Sequence, residues 1–182
     1  MATADPQVKH WTRDEYYQMG EAGLFADQCV ELIDGEILMM SPMKAAHAAS
    51  VLLTSDALRK VFTAGYCVRV QLPLVLADDC EPEPNIAVVP GSPRDYTEHP
   101  TTALLIVEVS DTTLAFDRGR KRELYAQANV SEYWIVNLVD RFLEVFRDPV
   151  NGAFHHQSQF DSNDIVTPCG LHNAIQVADL LP

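Results

Sequence analysis

The segment LLIVEVSDTTLAFDRGRKRELYAQANVSEYWIVN, residues 104–137, decides how this chain is expected to fold. An apolar run over 103–110, which starts one residue before the segment, leads into it, and a second run, EYWIVN at 132–137, closes it. Short apolar runs of this kind are typical of strands that are covered on both faces of a sheet. The stretch 116–128 predicts a helix that ends at Asn129, a residue that accepts the left-handed conformation of a helix cap. The segment therefore predicts two buried strands joined by a helix.

Outside this segment the chain also alternates between helical and strand patterns. Thr12 and Glu15 form a capping box that predicts a helix over 13–19, and the pair Asp34-Gly35 between two apolar runs predicts a hairpin. Helical periodicity extends over 44–62. Further strands are predicted at 66–76, 85–89, 141–146, 154–159 and 174–177. This order predicts an α/β (α+β) fold, in which helices flank a β-sheet and an N-terminal hairpin precedes it.

Composition narrows the class of protein. The chain has 182 residues, 47% of them apolar, and a formal net charge of −13, which predicts one globular domain over 1–182 rather than a disordered acidic tail. The acidity argues against coating of nucleic acid by bulk charge, but leaves open local contact through metal ions or a basic patch. We see no signal-peptide pattern, no long apolar run and no zinc spacing among the four cysteines. We therefore expect a cytoplasmic protein with no membrane span and four reduced, partly buried thiols.

Glu108 does not fit the strand that contains it. Alternation along the strand places its side chain on the same face as Leu104 and Ile106. An unpaired carboxylate there would cost several kcal/mol or would have to be protonated. We therefore expect a partner for Glu108: a cation, a metal ion or hydrogen-bond donors. The alternative is that Glu108 lies at the end of the strand, half solvated or paired with an arginine.

The helix after this strand carries polar residues at a spacing that groups them. Asp117, Lys121 and Tyr125 lie at i, i+4 and i+8 and so share one face, which can close over the strand end. A carboxylate and a lysine that converge there would suit a site for a metal ion and a water. The alternative for Lys121 is a solvated place in the basic cluster 118–122. On the preceding strand, Asn85 could reach the same sheet edge, although an Asn after a proline is also ordinary turn chemistry.

These segments resemble the Uma2 family, which belongs to the PD-(D/E)XK nuclease superfamily with its restriction-endonuclease-like fold. The resemblance covers residues 11–177 and rests on the order and spacing of several motifs: WTRDEYYQM at 11–19, VELIDGEILMMSP at 30–42, EPEPNIAVVP at 81–90, LLIVEVSDTT at 104–113, DRGRKRELYA at 117–126 and VSEYWIVN at 130–137. It implies a mixed sheet with a metal site at one edge.

The resemblance also assigns roles to residues. Glu108 matches the acid of the (D/E)XK motif, and Lys121 in the next helix takes the part of the lysine, since the position two residues after Glu108 is Ser110. Glu108 and Asn85 are then the implied ligands of Mg²⁺ or Mn²⁺. The family has aspartate where this chain has Asn85, a change that is expected to weaken metal binding. Glu83 shares the parity of Asn85 and could compensate.

Further residues are implied as supporting members of the site. Glu31 and His47 are carried over from the family, while Asp117 and Tyr125 follow from the helix face. Arg118 and Arg120 are candidates for contact with flanking phosphates. The implied function is a metal-dependent endonuclease that acts on nucleic acid, DNA in particular, and that forms a homodimer. The alternative is a catalytically inactive module on the same scaffold that binds nucleic acid or protein.

Overall fold

The computed structural model describes residues 6–182, which divide into two compact units. Of the described residues, the first unit comprises 6–42 together with Val75–Pro82. The second comprises Met43–Leu74 and Glu83–Pro182. Within the described part of the chain, no helix is long and apolar enough to cross a membrane.

The first unit consists of a helix and a hairpin. Helix α1 spans Arg13–Glu21, and the capping box between Thr12 and Glu15 at its start is present as predicted. Strands β1 (Val30–Ile33) and β2 (Glu36–Met39) pair antiparallel. The predicted turn between them is confirmed, with φ of 50° at Asp34 and 74° at Gly35, because Asp and Gly accept this left-handed conformation.

A buried carboxylate ties the helix of this unit to its hairpin. Glu81 is 3% exposed and bridges to Leu32 of β1 through the backbone. Its side chain accepts hydrogen bonds from Arg13 at 2.5 Å and from the hydroxyl of Tyr17. The hydroxyl of Tyr16 donates to the carbonyl of Val30 at 2.9 Å. These contacts fix the orientation of α1 on β1.

The second unit is built on a six-stranded mixed sheet, in the order β3-β4-β5-β6-β7-β8. Only β5 and β6 run parallel, and every other neighbouring pair is antiparallel. The strands are β3 (Tyr66–Val70), β4 (Ile86–Pro90), β5 (Leu105–Ser110), β6 (Glu132–Asn137), β7 (Phe142–Val150) and β8 (Ala153–Asp161). Two short strands, β9 (Ile165–Val166) and β10 (Ile175–Gln176), form a separate pair near the C-terminus.

The two faces of the sheet differ in character. Helix α2, Ala45–Val61, contributes Leu58 to an apolar core that also contains Val107 and Trp134. The other face of β5 presents Glu108, as the alternation of the strand predicts. A helical segment covers this face and has three parts: α3 (Leu114–Phe116), a π-helical turn (Asp117–Lys121) and α4 (Arg122–Gln127).

Some sequence predictions differ from the structure in extent. The strand predicted over 66–76 ends at Val70, because Gln71 is in the left-handed region, with φ of 49°. The hairpin of β7 and β8 is longer than the predicted strands at 141–146 and 154–159. The prediction of four partly buried thiols is wrong for two of them, since Cys29 and Cys169 are exposed. Asn129 adopts the predicted left-handed cap, with φ of 54°.

Candidate active site

Glu108 lies near the end of β5 and is 3% exposed. Its Oε1 accepts hydrogen bonds from Nζ of Lys121 at 2.9 Å and from the hydroxyl of Tyr125 at 2.8 Å. Its Oε2 accepts one from the backbone N–H of Asn85 at 3.1 Å. Three donors, one of them a cation, thus compensate the buried carboxylate and hold it in one orientation.

The π-helical turn positions the side chains that the helical segment contributes to this site. Asp117 and Lys121 are each 2% exposed and Tyr125 is fully buried, so all three face inward, as their spacing predicts. The turn itself was not predicted, because the sequence was interpreted as one regular α-helix over 116–128. π-helical turns occur often at functional sites. Here it begins at Asp117 and ends at Lys121, the two charged residues that it brings inside.

Asp117 occupies a pocket of hydroxyl groups beside the Glu108 pair. Its Oδ2 accepts hydrogen bonds from Ser110 at 2.6 Å and from Thr113 at 2.7 Å. Burial, reinforced by the negative charge of Glu108, raises the pKa of Asp117 to about 6. The sequence did not reveal Ser110 and Thr113 as partners, since hydroxyl residues are common at the end of a strand and in the loop that follows it.

Asn85 is fixed between two strands. Its Oδ1 accepts a hydrogen bond from the backbone N–H of Val109 at 2.8 Å, while its own N–H donates to Glu108. Asn85 therefore reaches across to β5 through both its side chain and its backbone. The backbone N–H of Asn85 thus contacts the carboxylate of Glu108, and its side-chain oxygen is bonded to the next residue of β5.

His47, near the start of α2, also lies next to this group. Burial lowers the pKa of His47, and this shift is opposed by the charges of Asp111 and Glu108 and by a hydrogen bond with Asn85. Asp111 in turn pairs with Lys44, with 3.2 Å between the carboxylate and the ammonium. The structure therefore brings the imidazole of His47 next to Asn85, at the site to which the resemblance assigned it.

The remaining sequence-predicted residues are described by their own surroundings. Glu31 is buried on β1 of the first unit, and Glu83 is exposed before β4. Arg118 donates from Nε and Nη2 to the carboxylate of Glu144 at 2.8–3.0 Å. Arg120 is partly exposed on the π-helical turn.

The donors at the site suit a weakly held divalent ion. The carboxylate of Glu108 and the amide oxygen of Asn85 are hard oxygen ligands, the type that Mg²⁺ prefers. Mg²⁺ commonly keeps several waters and binds through one or two protein groups. The pair supplies a single negative charge, which Lys121 largely neutralises. Among residues 6–182, no group of three His, Cys, Asp or Glu side chains is arranged to hold a metal.

The sequence matches a known family over most of its length. The Uma2 family, described as a putative restriction endonuclease, matches residues 13–179. The chain belongs to the Uma2 family. Its fold is also similar to the crystal structure of a putative nuclease from Anabaena variabilis, with a TM-score of 0.70 at 15% sequence identity. That match covers 93% of this chain and 96% of the other. No curated protein sequence matches the chain at a significant level.

Family membership and structural similarity together identify the architecture. The mixed sheet flanked by helices is the restriction-endonuclease-like fold that the resemblance implied. At 15% identity the similarity to the Anabaena protein establishes the fold and does not transfer an activity.

Proposed function

We propose that this Uma2 protein is a metal-dependent endonuclease that hydrolyses phosphodiester bonds in DNA, with Glu108 and Lys121 as its catalytic pair. The observation that supports this proposal is the buried contact of 2.9 Å between Lys121 and Glu108 at the end of β5. A buried ion pair with perturbed titratable groups around it is a common feature of catalytic sites. The family description as a putative restriction endonuclease supports the same reaction class.

In this proposal each residue of the site has its own role. Glu108 and Asn85 would hold Mg²⁺ or Mn²⁺, and such an ion polarises a phosphate and lowers the pKa of a bound water. Lys121 pairs with Glu108 and would provide a positive charge next to the oxygens that become negative during phosphoryl transfer. Tyr125 and the backbone N–H of Asn85 hold the carboxylate in position.

A second function is favoured by Asn85. Its amide oxygen already accepts a hydrogen bond from Val109, and it brings no negative charge to a site whose one carboxylate is paired with Lys121. Such a site holds a divalent ion weakly. The second candidate is therefore a catalytically inactive module on the same scaffold that binds nucleic acid or protein.

Plasmid nicking tests the first candidate. We expect slow nicking of supercoiled DNA by the unaltered chain in Mg²⁺ or Mn²⁺, and loss of at least about tenfold in Glu108→Gln and Lys121→Met. Glu123→Gln is the matched control, because Glu123 is an exposed carboxylate on the same helical segment. Nicking that Glu108→Gln leaves unchanged would contradict the site. No nicking under any condition, together with retained DNA binding, would support the second candidate.

A further inference from the structure

The negative charge of the chain is concentrated in the first unit. Residues 6–42 and 75–82 contain ten Asp and Glu residues but two Lys and Arg residues, a net formal charge of −8. The second unit contains fifteen acidic and eleven basic residues, a net of −4, although it is much longer. The acidity that argued against binding of nucleic acid thus belongs mainly to the smaller unit, and the unit that carries Glu108 has half as much net negative charge.

The first unit also contains an open aromatic cavity. Tyr16, Tyr17 and Phe25 line it together with Gly20 and Glu21, and its volume is about 420 Å³. The centroids of the Tyr16 and Phe25 rings are 5.4 Å apart, and Tyr16 and Tyr17 meet edge to face at 5.8 Å. The exposed carboxylate of Glu21 completes the lining.

Hydrogen bonds fix the two tyrosine rings. The hydroxyl of Tyr16 donates to the carbonyl of Val30, and that of Tyr17 donates to Glu81. Because both hydroxyl groups are already hydrogen-bonded within the unit, a ligand in the cavity would meet the aromatic rings of the two tyrosines. The Tyr17 side remains open to solvent, with 41% of the residue exposed.

We propose that this cavity binds the cationic side chain of an arginine or lysine from a basic protein partner. Aromatic faces attract a cation placed within about 6 Å of the ring centre, and a carboxylate at the cavity strengthens that attraction. The unit already contains one such contact, with Nζ of Lys9 lying 5.2 Å from the ring centre of Trp11. The surrounding charge of −8 raises the local concentration of a basic segment.

The negative charge of the first unit disfavours nucleic acids, whose bases are the other common ligands of aromatic side chains. Nucleobases stack on aromatic side chains, but they arrive attached to phosphates. Binding of a polyanion relies on neutralisation by lysine and arginine, and this unit has two such residues against ten carboxylates. The cavity therefore suits a basic polypeptide and not DNA, and the proposal does not depend on the nuclease activity of the other unit.

Titrations of the full chain, followed by NMR of the ring resonances of Tyr16, Tyr17 and Phe25, test this inference. The probes are an amidated tetra-arginine peptide, an amidated tetra-glutamine peptide and a short DNA duplex. We expect saturable shifts of these resonances with tetra-arginine alone. Larger shifts with the DNA duplex, or equal shifts with tetra-glutamine, would overturn the proposal.

Two variants and one control separate the cavity from bulk charge. Glu21→Lys should weaken tetra-arginine binding roughly tenfold. Asp78→Lys makes the same change of charge at an exposed position of the same unit that does not line the cavity, and should weaken binding less than about threefold. Equal losses of affinity in Glu21→Lys and in the control Asp78→Lys would show that only bulk charge attracts the peptide, and would overturn the proposed site.

The second variant fills the cavity without changing charge. A Cβ at Gly20 would lie 3.7 Å from the ring of Phe25, an ordinary contact, so Gly20→Leu is compatible with the helix. The leucine should compete with the ligand for the ring surface and weaken tetra-arginine binding by a similar factor. Unchanged affinity in a folded Gly20→Leu protein would contradict binding inside the cavity.

Discussion

Nζ of Lys121 lies 2.9 Å from Oε1 of Glu108, and each side chain is less than 5% exposed. Neither charge is solvated, so each depends on the other. Removing one partner of a buried pair costs about 3–5 kcal/mol, whereas removing both costs less because no charge is left uncompensated.

Double-mutant analysis of this pair is therefore expected to show strong coupling. Lys121→Met and Glu108→Gln should each lower the free energy of unfolding by about 3–5 kcal/mol, and the double variant by less than the sum of the two. Urea denaturation of the four proteins measures the coupling. Additive losses would mean that the two side chains do not interact in solution. Glu123→Gln, at an exposed position, should change the stability by less than about 0.5 kcal/mol.

A pH dependence is expected from Asp117. Burial raises the pKa of Asp117 from an ordinary value of 3.8 to about 6, so the folded chain binds a proton more readily than the unfolded chain. The stability that this group contributes is therefore fully present below about pH 4 and is lost as the pH rises through about 6. Comparison of Asp117→Asn with the unaltered chain isolates this contribution from those of other carboxylates.

The Asp117 measurement is a urea denaturation series from pH 4 to 8. Relative to the unaltered chain, Asp117→Asn should gain stability as the pH rises across this window, by an amount on the order of 2 kcal/mol. Asp164→Asn is a suitable control, since Asp164 is exposed in a turn. A difference between Asp117→Asn and the unaltered chain that does not vary with pH would show that Asp117 titrates normally.

Much of the candidate site follows from periodicity. The alternation of 103–110 predicts that Glu108 faces the helix side of the sheet, and the spacing of Asp117, Lys121 and Tyr125 predicts that they face it together. Both patterns act over a few residues, where local geometry dictates direction. The contact between Glu108 and Lys121 is therefore foreseeable from the sequence.

Other features depend on contacts between distant residues. The assignment of Val75–Pro82 to the first unit, with Glu81 bridging to Leu32, has no local signal. The bond from Val109 to the side chain of Asn85 likewise joins residues 24 positions apart. The early end of β3 reflects the backbone of Gln71, a residue type with no strong preference for the left-handed region.

A buried network on the other face of the sheet is expected to hold the C-terminal segment. Glu132 is 1% exposed and accepts hydrogen bonds from Trp134 at 2.8 Å, from Arg147 at 2.8 Å and from the backbone N–H of Cys169 at 2.6 Å. Glu132→Gln leaves Arg147 without its counter-charge and should destabilise the protein by about 3 kcal/mol.

The indole of Trp134 is the fluorescence probe for the effect of Glu132→Gln. Tryptophan fluorescence should shift and amide exchange near Cys169 should accelerate, because the carboxylate that ties this segment to β6 is lost. Glu98→Gln, at an exposed position, is the control for the change of charge. Exchange near Cys169 that stays as slow as in the unaltered chain would show that Glu132 does not hold the segment.

Asn85→Asp is expected to lower the stability of the metal-free protein and to strengthen its binding of a divalent ion. In the absence of a divalent ion, a carboxylate at position 85 would lie next to that of Glu108, and the repulsion should lower the melting temperature. A second negative charge should also strengthen binding of Mg²⁺ or Mn²⁺ by roughly tenfold or more.

Thermal denaturation in EDTA and in increasing Mn²⁺ measures both effects of Asn85→Asp. Because an ion that binds only the folded state stabilises it, the melting temperature of the variant should rise steeply with Mn²⁺ while that of the unaltered chain rises little. Glu108→Gln added to Asn85→Asp should abolish the rise, since it removes one of the two charges. A melting temperature of Asn85→Asp that Mn²⁺ does not move would mean that Asn85 and Glu108 do not share an ion, and would favour the binding module over the endonuclease.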